Sequence, residues 1–372
     1  MNYMKQLDAI RAIGVSLIFY QHFVRWSVKP ITFFGHQILF GITAVDSFFV
    51  MSGFLITGIL LKSKEKVEHN KATVFSSLKT FYTRRTLRIF PIFYLTLLVT
   101  FTLNIHPVRE TIWWHVCYAS NIYSAVAGSV NNGAISHLWS LSVEEQFYLV
   151  WPLVILLVPR KHLAGVLTVI ILTAPAFRYY CGSIQMESAI ANALTPGNID
   201  LLGIGALLAY LKAHRPEMLP PFLKLSLGIG CPMFLVSVLS NSFALGEVFG
   251  AFTRTFEGLW ICWFIDKASE GFGGVVGYVL ELKPLSYLGK ISYGLYLYHN
   301  FVPSLLNEAL QTLHVAGPQT IWSQCLVYTA VSVAIASVSW HLVEKPLLGL
   351  KQVLGAGPAV KYPVVAPKQQ VI

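Results

Sequence analysis

Long apolar segments recur along almost the whole chain, from Leu7 to Val343, and they restrict the fold more than any other feature. A helix rises ~1.5 Å per residue, so about 20 apolar residues cross a bilayer core of about 30 Å. With 55% hydrophobic and only 12% charged residues, the chain is too apolar for a soluble protein of 372 residues. The sequence therefore predicts an all-α, polytopic membrane helical bundle. About ten transmembrane helices are expected, over residues 7–24, 36–61, 89–105, 138–158, 163–180, 198–211, 222–239, 248–266, 288–308 and 320–343.

Two stretches need separate interpretation. The sixth predicted span, 198–211, is short for a bilayer crossing. The stretch 112–130 contains Trp113, Trp114 and Tyr118, and aromatic residues are enriched at membrane interfaces. We interpret it as an interfacial or re-entrant element on the outer side.

The distribution of positive charge predicts the orientation of the bundle. If the N-terminus is cytoplasmic, 21 of the 27 Lys and Arg residues lie in cytoplasmic loops or tails. The exceptions are four outside (Arg25, Lys29, Arg109, Arg178) and two within spans (Arg11, Arg254). The positive-inside rule therefore predicts that both termini are cytoplasmic. The net charge of +10 then faces anionic lipid and needs no nucleic-acid partner. We divide the chain into a membrane domain, 1–350, and a short cytoplasmic tail, 351–372, which we expect to be disordered.

The first span carries Arg11 and His22, eleven residues apart. At ~100° per residue in a helix, both side chains share one face, roughly 16 Å apart along the axis. Ionisable residues in a membrane are costly and are usually functional. The alternative is that Arg11 pairs with Asp8 at the end of the helix while His22 is only interfacial.

Further polar residues fall at one depth, in the middle and outer half of the predicted bundle. They come from four different spans or their ends: Asp46 from the second, His137, Ser142, Glu144 and Glu145 from the fourth, Arg254 from the eighth and His299 from the ninth. Each residue alone could be a buried, paired polar group that only stabilises the bundle. For Asp46 and Arg254 this structural role is as good an interpretation as a functional one. Together they favour a site, because a His with a nearby carboxylate suits general base catalysis.

Three arginines, Arg84, Arg85 and Arg88, lie at the mouth of the third span, at the cytoplasmic side. They could serve topology alone, or they could bind phosphate, which the guanidinium fork holds in a bidentate manner. The five cysteines are scattered without metal-ligand spacing, and neither a P-loop nor an HExxH motif is present. We predict no metal site.

These residues lie in blocks that resemble the family-three membrane acyltransferases, bacterial inner-membrane proteins that O-acylate carbohydrates. The first span resembles that family's opening helix with its Arg-x10-His pattern. The further blocks are DSFFVMSGFLI at 46–56, RTLR at 85–88, HLWSLSVEEQFY at 137–148, GKISYGLYLYH at 289–299 and EKP at 344–346. They follow one another in order along essentially the whole chain.

The resemblance implies an acyl-CoA donor at the cytoplasmic side and a glycan or lipid-linked saccharide acceptor at the outer side. It implies that His22 is the catalytic histidine, that Arg85 and Arg88 hold the CoA phosphates, and that Arg11 lines the donor path. Some members of the family continue into a periplasmic hydrolase-like domain. This sequence has fewer than about thirty residues after its last span, so we expect direct transfer or a separate periplasmic partner.

We therefore predict an O-acyltransferase, most simply an O-acetyltransferase, in the bacterial inner membrane. Its acceptor would be a cell-envelope or secreted glycan such as a polysaccharide or lipopolysaccharide, and it would bind no permanent cofactor. We assign catalysis to His22, Glu144, Glu145 and Asp46, donor binding to Arg11, Arg85 and Arg88, and substrate binding to His137, Ser142, Arg254 and His299. The alternatives are a multi-span transporter of a sugar or anion, which also carries midplane charges, and a non-catalytic scaffold.

Overall fold

The structure, a computed structural model, describes residues 4–24, 32–33, 36–37, 40–131, 133–240 and 246–353. Most of the predicted tail 351–372 therefore lies outside the described residues. The described part is overwhelmingly helical, as the sequence predicts. One short antiparallel pairing joins β1 (Thr32–Phe33) to β2 (His36–Gln37).

The described residues form eighteen α-helices. Their bounds are α1 Lys5–Phe19, α2 Phe40–Glu68, α3 Val74–Thr102, α4 Val108–Val116, α5 Ser120–Val126, α6 Trp139–Leu157, α7 Arg160–Ser183, α8 Ser188–Ala193, α9 Ile199–His214, α10 Leu219–Leu225, α11 Cys231–Ser240, α12 Gly246–Glu270, α13 Gly274–Leu280, α14 Lys283–Lys290, α15 Ser292–Tyr298, α16 Val302–Thr312, α17 Ile321–Ser339 and α18 Lys345–Val353. Single π-helical turns extend α1, join α10 to α11 and join α17 to α18, at Tyr20–Val24, Ser226–Gly230 and Trp340–Glu344. Short 3₁₀ turns occur at Gly133–Leu138, Thr195–Gly197 and Pro216–Met218.

Six helical segments of the described chain are long and apolar enough to cross a membrane. They are Gly41–Glu68, Val74–Thr102, Gly133–Leu157, Arg160–Ser183, Pro216–Val236 and Ile321–Leu350. The chain is therefore a multi-pass membrane protein. The count of ten spans and the cytoplasmic position of both termini remain predictions.

Helix α9 lies at the centre of the bundle and packs closely against α2. Nearly all its residues between Asp200 and Leu211 are buried, which suits a helix that is apolar on every side. The backbones approach so closely that a Cβ added at Gly205 would lie 1.9 Å from the carbonyl oxygen of Val50. Glycine is required there, as at many close helix crossings in membranes. Because α9 has only 16 residues, it falls short of a full bilayer crossing, in line with the short sixth span expected from the sequence.

The predicted ninth span, 288–308, is not one helix. The structure divides it among α14, α15 and α16, with a break around His299 to Phe301. Pro303 stands in the first turn of α16, where its missing N–H is tolerated, and it could not continue a helix from α15. The break places His299 at the end of a short helix, beside α1.

Candidate active site

A pocket lined by both charged and apolar side chains opens between α1, α2, α3, α6 and α15, and it encloses about 960 Å³, counting the space at its open mouth. Five of the predicted site residues line it: Arg11, Arg85, Arg88, Glu144 and Glu145. They come from three helices that are distant in sequence. The fold therefore brings the predicted donor-binding arginines and the two predicted catalytic glutamates into one cavity.

The arginines of the pocket differ in their surroundings. Arg11 donates to Asp8, with 2.6 Å between Nη1 and Oδ1, so it both makes the i, i+3 pair and lines the pocket. The guanidinium of Arg85 lies 5.2 Å from the ring centre of Tyr148 and 5.8 Å from that of Phe81. No carboxylate of the described chain forms an ion pair with Arg85, so its fork of N–H donors can receive an anion. Arg88 is exposed at the same pocket.

The two glutamates face this pocket from α6. Glu144 lies beside the hydroxyls of Ser52 and Tyr148, whose oxygens are 2.5 Å apart. Oε1 of Glu145 is buried and has no hydrogen-bond partner among the described residues. An unpaired acceptor at this depth is costly, so it is available for an N–H or O–H group of a bound molecule.

Three histidines form a second cluster, which we call the histidine cluster: His22, His137 and His299. Nδ1 of His22 lies 2.8 Å from Nε2 of His299, and their rings stack with centres 4.9 Å apart. The His137 ring meets the His299 ring edge-on, also at 4.9 Å, and its Nε2 lies 3.2 Å from the carbonyl oxygen of Leu297. No group of three or more His, Cys, Asp or Glu side chains in the described chain could hold a metal ion.

Tyr296 connects the pocket to the histidine cluster. Its side chain lines the pocket, and its hydroxyl lies 2.5 Å from Oγ of Ser140 and 2.8 Å from the carbonyl oxygen of His137. Its own carbonyl oxygen accepts a hydrogen bond of 2.7 Å from Nδ1 of His299. Tyr296 thus links the wall of the pocket to the histidine cluster.

His22 lies on a π-helical turn rather than on regular α-helix. The expectation of a shared helix face with Arg11 assumed ~100° per residue throughout, which a π turn does not maintain. Arg11 lines the pocket and His22 lies in the histidine cluster, so the two contribute to neighbouring parts of the site. Such π turns occur frequently at functional sites.

Asp46 and Arg254 pair with each other away from this pocket. Arg254 donates from Nε and Nη2 to both carboxylate oxygens of Asp46, with Nε and Oδ2 3.0 Å apart, and Nη1 donates to the carbonyl oxygen of Asn192. Asp46 is fully buried. This is the packed arrangement that the sequence left open as the structural alternative, and the structure does not bring the pair to His22.

Ser142 is also separate from the pocket. Its Oγ lies 2.8 Å from Oγ of Ser120, and only 1% of the residue is exposed. The bond ties α5, in the stretch predicted to be interfacial, to α6. The structure thus places Ser142 in helix packing.

Sequence reasoning missed several polar groups. Tyr148 lies four residues after Glu144 and therefore on the same helix face, which could have identified it. Glu257 is 4% exposed and follows Arg254 by three residues, so the depth criterion applied to Arg254 could also have found it. The further pocket residues with hydroxyl groups are Ser52, Ser140, Ser292, Tyr293 and Tyr296.

Comparisons with known proteins bear on this site. The family model Acyl_transf_3, described as an acyltransferase domain, matches residues 4–341. Among curated relatives, "Putative peptidoglycan O-acetyltransferase YrhL" of Bacillus subtilis is 25% identical over 93% of this chain and 55% of its own length. "O-acetyltransferase OatA" of Staphylococcus aureus (strain NCTC 8325 / PS 47) is 26% identical over 93% of this chain and 57% of its own length. The chain thus spans a little over half of these relatives.

No solved structure shows significant similarity to the chain. The family match covers nearly all the described residues and includes the whole pocket and the histidine cluster. The chain therefore belongs to the acyltransferase 3 family of membrane acyltransferases.

Proposed function

We propose that the protein transfers an acyl group, most simply acetyl, from cytoplasmic acyl-CoA to a hydroxyl of a cell-envelope or secreted glycan. The bacterial inner membrane is the proposed location. Family membership favours this enzyme over a transporter of a sugar or anion. The relatives named above carry O-acetyltransferase names, which supports acetyl as the group and a hydroxyl as the acceptor.

One observation carries the proposal: a pocket lined by Arg11, Arg85 and Arg88 stands one side chain, Tyr296, away from a group that can accept a proton. Arg85 and Arg88 line this pocket together with Tyr296, and Tyr296 contacts His299, which in turn contacts His22. CoA fits such a site, because its phosphates are at one end and its thioester is at the other. Bidentate contacts from arginine suit the phosphates.

The proposed reaction uses His22 as the general base. His22 removes the proton of the acceptor hydroxyl as its oxygen attacks the thioester carbonyl carbon. The new C–O bond forms, the C–S bond breaks, and the proton on His22 passes to the departing CoA thiolate. The ester and free CoA are the products, and His22 returns to its neutral form.

The glutamates complete the donor pocket in this proposal. Glu144 and Glu145 line the cavity with the arginines, and no described contact joins them to His22. Glu145 offers its unpaired Oε1 to a donor group such as an amide N–H of the pantetheine arm. The two carboxylates also repel phosphates, so the phosphates are held by Arg85 and Arg88 rather than beside the glutamates.

Mass spectrometry of envelope glycans tests the function directly. We expect acyl-modified glycan in cells that carry the gene and none in a deletion strain. Wild-type protein should restore the modification, and His22→Ala should not, although it should reach the membrane in equal amount. Glycans that are equally acylated with and without the gene would refute the proposal.

A further inference from the structure

The contact between His22 and His299 fixes where the hydrogens lie. The carbonyl oxygen of Tyr296 can only accept, so Nδ1 of His299, at 2.7 Å, carries a hydrogen. A neutral imidazole has one N–H, and Nε2 of His299 is then an acceptor. Since Nδ1 of His22 lies 2.8 Å from that Nε2, it must be the donor.

This deduction requires that both rings are neutral, and the surroundings favour that state. His299 is completely buried, and His137 lies beside it with its ring centre 4.9 Å away. Among the described residues no carboxylate hydrogen-bonds to any ring of the histidine cluster. A buried positive charge without an anionic partner costs several kcal/mol or more, and adjacent imidazolium rings would repel each other.

In this arrangement the lone pair of His22 is on Nε2. That nitrogen is the side of the ring that does not face His299. Asn300 also interacts with His22, and its Nδ2 donates to the carbonyl oxygen of Ala134.

The geometry points to His299 as the positioning residue of the reaction: it holds His22 in the tautomer whose Nε2 is free to act as the base. The inference rests on the proposed function of His22 and replaces the expected role of His299 in substrate binding. The usual partner of a catalytic histidine is a carboxylate. Here the partner is a neutral imidazole, which is itself held by the backbone of Tyr296.

Two substitutions separate positioning from substrate binding. His299→Gln keeps both hydrogen bonds, because its Oε1 can accept from His22 while its Nε2 donates to the carbonyl of Tyr296. His299→Leu removes both at similar volume. We expect kcat to fall by about 10²-fold in His299→Leu, which is part of what general base catalysis contributes. In His299→Gln we expect kcat to fall by no more than about tenfold, which is half of that loss on a logarithmic scale. The acceptor KM should change less than about threefold in both.

The matched control is His115→Leu, which replaces another buried histidine, 2% exposed, on α4. It should leave kcat and its pH profile unchanged. A raised acceptor KM with normal kcat in His299→Leu would instead assign His299 to substrate binding and overturn the inference. Equal losses in His299→Gln and His299→Leu would also overturn it, provided that both variants unfold at the wild-type temperature.

A spectroscopic measurement keeps the inference testable apart from the activity. ¹⁵N NMR of histidine-labelled protein distinguishes protonated from unprotonated ring nitrogens, and the His22 signals are identified by their loss in His22→Gln. We expect Nδ1 of His22 to be protonated in the wild type and a tautomer mixture in His299→Leu. If His22→Ala retains activity, the proposed function of His22 fails, while the tautomer result still decides the pairing. An Nε2–H tautomer in the wild type would refute the inference.

Discussion

Replacing Arg85 by Lys tests the donor pocket at one atomically defined point. The Arg85 guanidinium lies over the Tyr148 and Phe81 rings, 5.2 and 5.8 Å from their centres, and lines the pocket without a carboxylate partner in the described chain. Lysine keeps the charge but loses the planar fork, so one charge-assisted contact to a phosphate is lost, at a cost of about 1.5–3 kcal/mol. That free energy corresponds to roughly a 10- to 150-fold weaker Kd for CoA.

The assay is calorimetric titration of CoA into purified protein in detergent. Arg84→Lys is the matched control, because Arg84 is a neighbour in sequence that does not line the pocket. We expect the control to bind CoA within about twofold of the wild type, because surface charge changes contribute little. The reasoning fails if Arg85→Lys binds CoA as the wild type does, or if both variants lose affinity equally. Unchanged binding in Arg85→Lys would mean that this arginine serves membrane topology alone, and equal losses would mean that the effect is not specific to the pocket.

Three further predictions concern packing, acid stability and orientation. Gly205→Ala should destabilise the protein by about 1–3 kcal/mol through its clash with the Val50 carbonyl, whereas Gly165→Ala, where a Cβ meets nothing within 4 Å, should not lower the thermal unfolding temperature. Burial lowers the pKa of His115, which lies outside the candidate spans, to about 4. As the pH falls from about 6.5 to 4, the unfolded chain therefore binds a proton that the folded chain does not, and the folded state loses stability. His115→Leu should therefore reduce the acid loss of stability in that window by up to ~3 kcal/mol, and identical wild-type and variant unfolding curves at pH 4.5 would contradict this. A cysteine at Asn131 should react with an impermeant thiol reagent on intact cells, and one at Lys66 should not; the reverse pattern would invert the proposed topology.

The sequence predicts the helical class and most of the donor pocket. Spacing, charge and the family resemblance identify Arg11, Arg85 and Arg88 together with Glu144 and Glu145, and all five line one cavity. This prediction succeeds because charged side chains on apolar membrane helices are stable at only a few faces and depths, where they point into the bundle or a polar cavity.

The detailed partners could not be read from the sequence. Periodicity assumes regular α-helix, so it misses the π turn that carries His22 and the break that places His299 beside it. Depth alone also cannot distinguish a site from a structural pair, because Asp46 and Arg254 satisfy each other within the bundle. These features depend on tertiary packing between helices distant in sequence.

Acyl transfer across a sealed membrane tests the central claim most directly. Purified protein in proteoliposomes of one orientation would receive ¹³C-acetyl-CoA on the side where Lys66 lies, with soluble fragments of the envelope glycans enclosed on the other side. We predict that the enclosed fragments gain the labelled acetyl group, detected by mass spectrometry, and that vesicles with His22→Ala gain none. Labelling that occurs only when donor and acceptor share one side, or that persists in His22→Ala, would contradict the account.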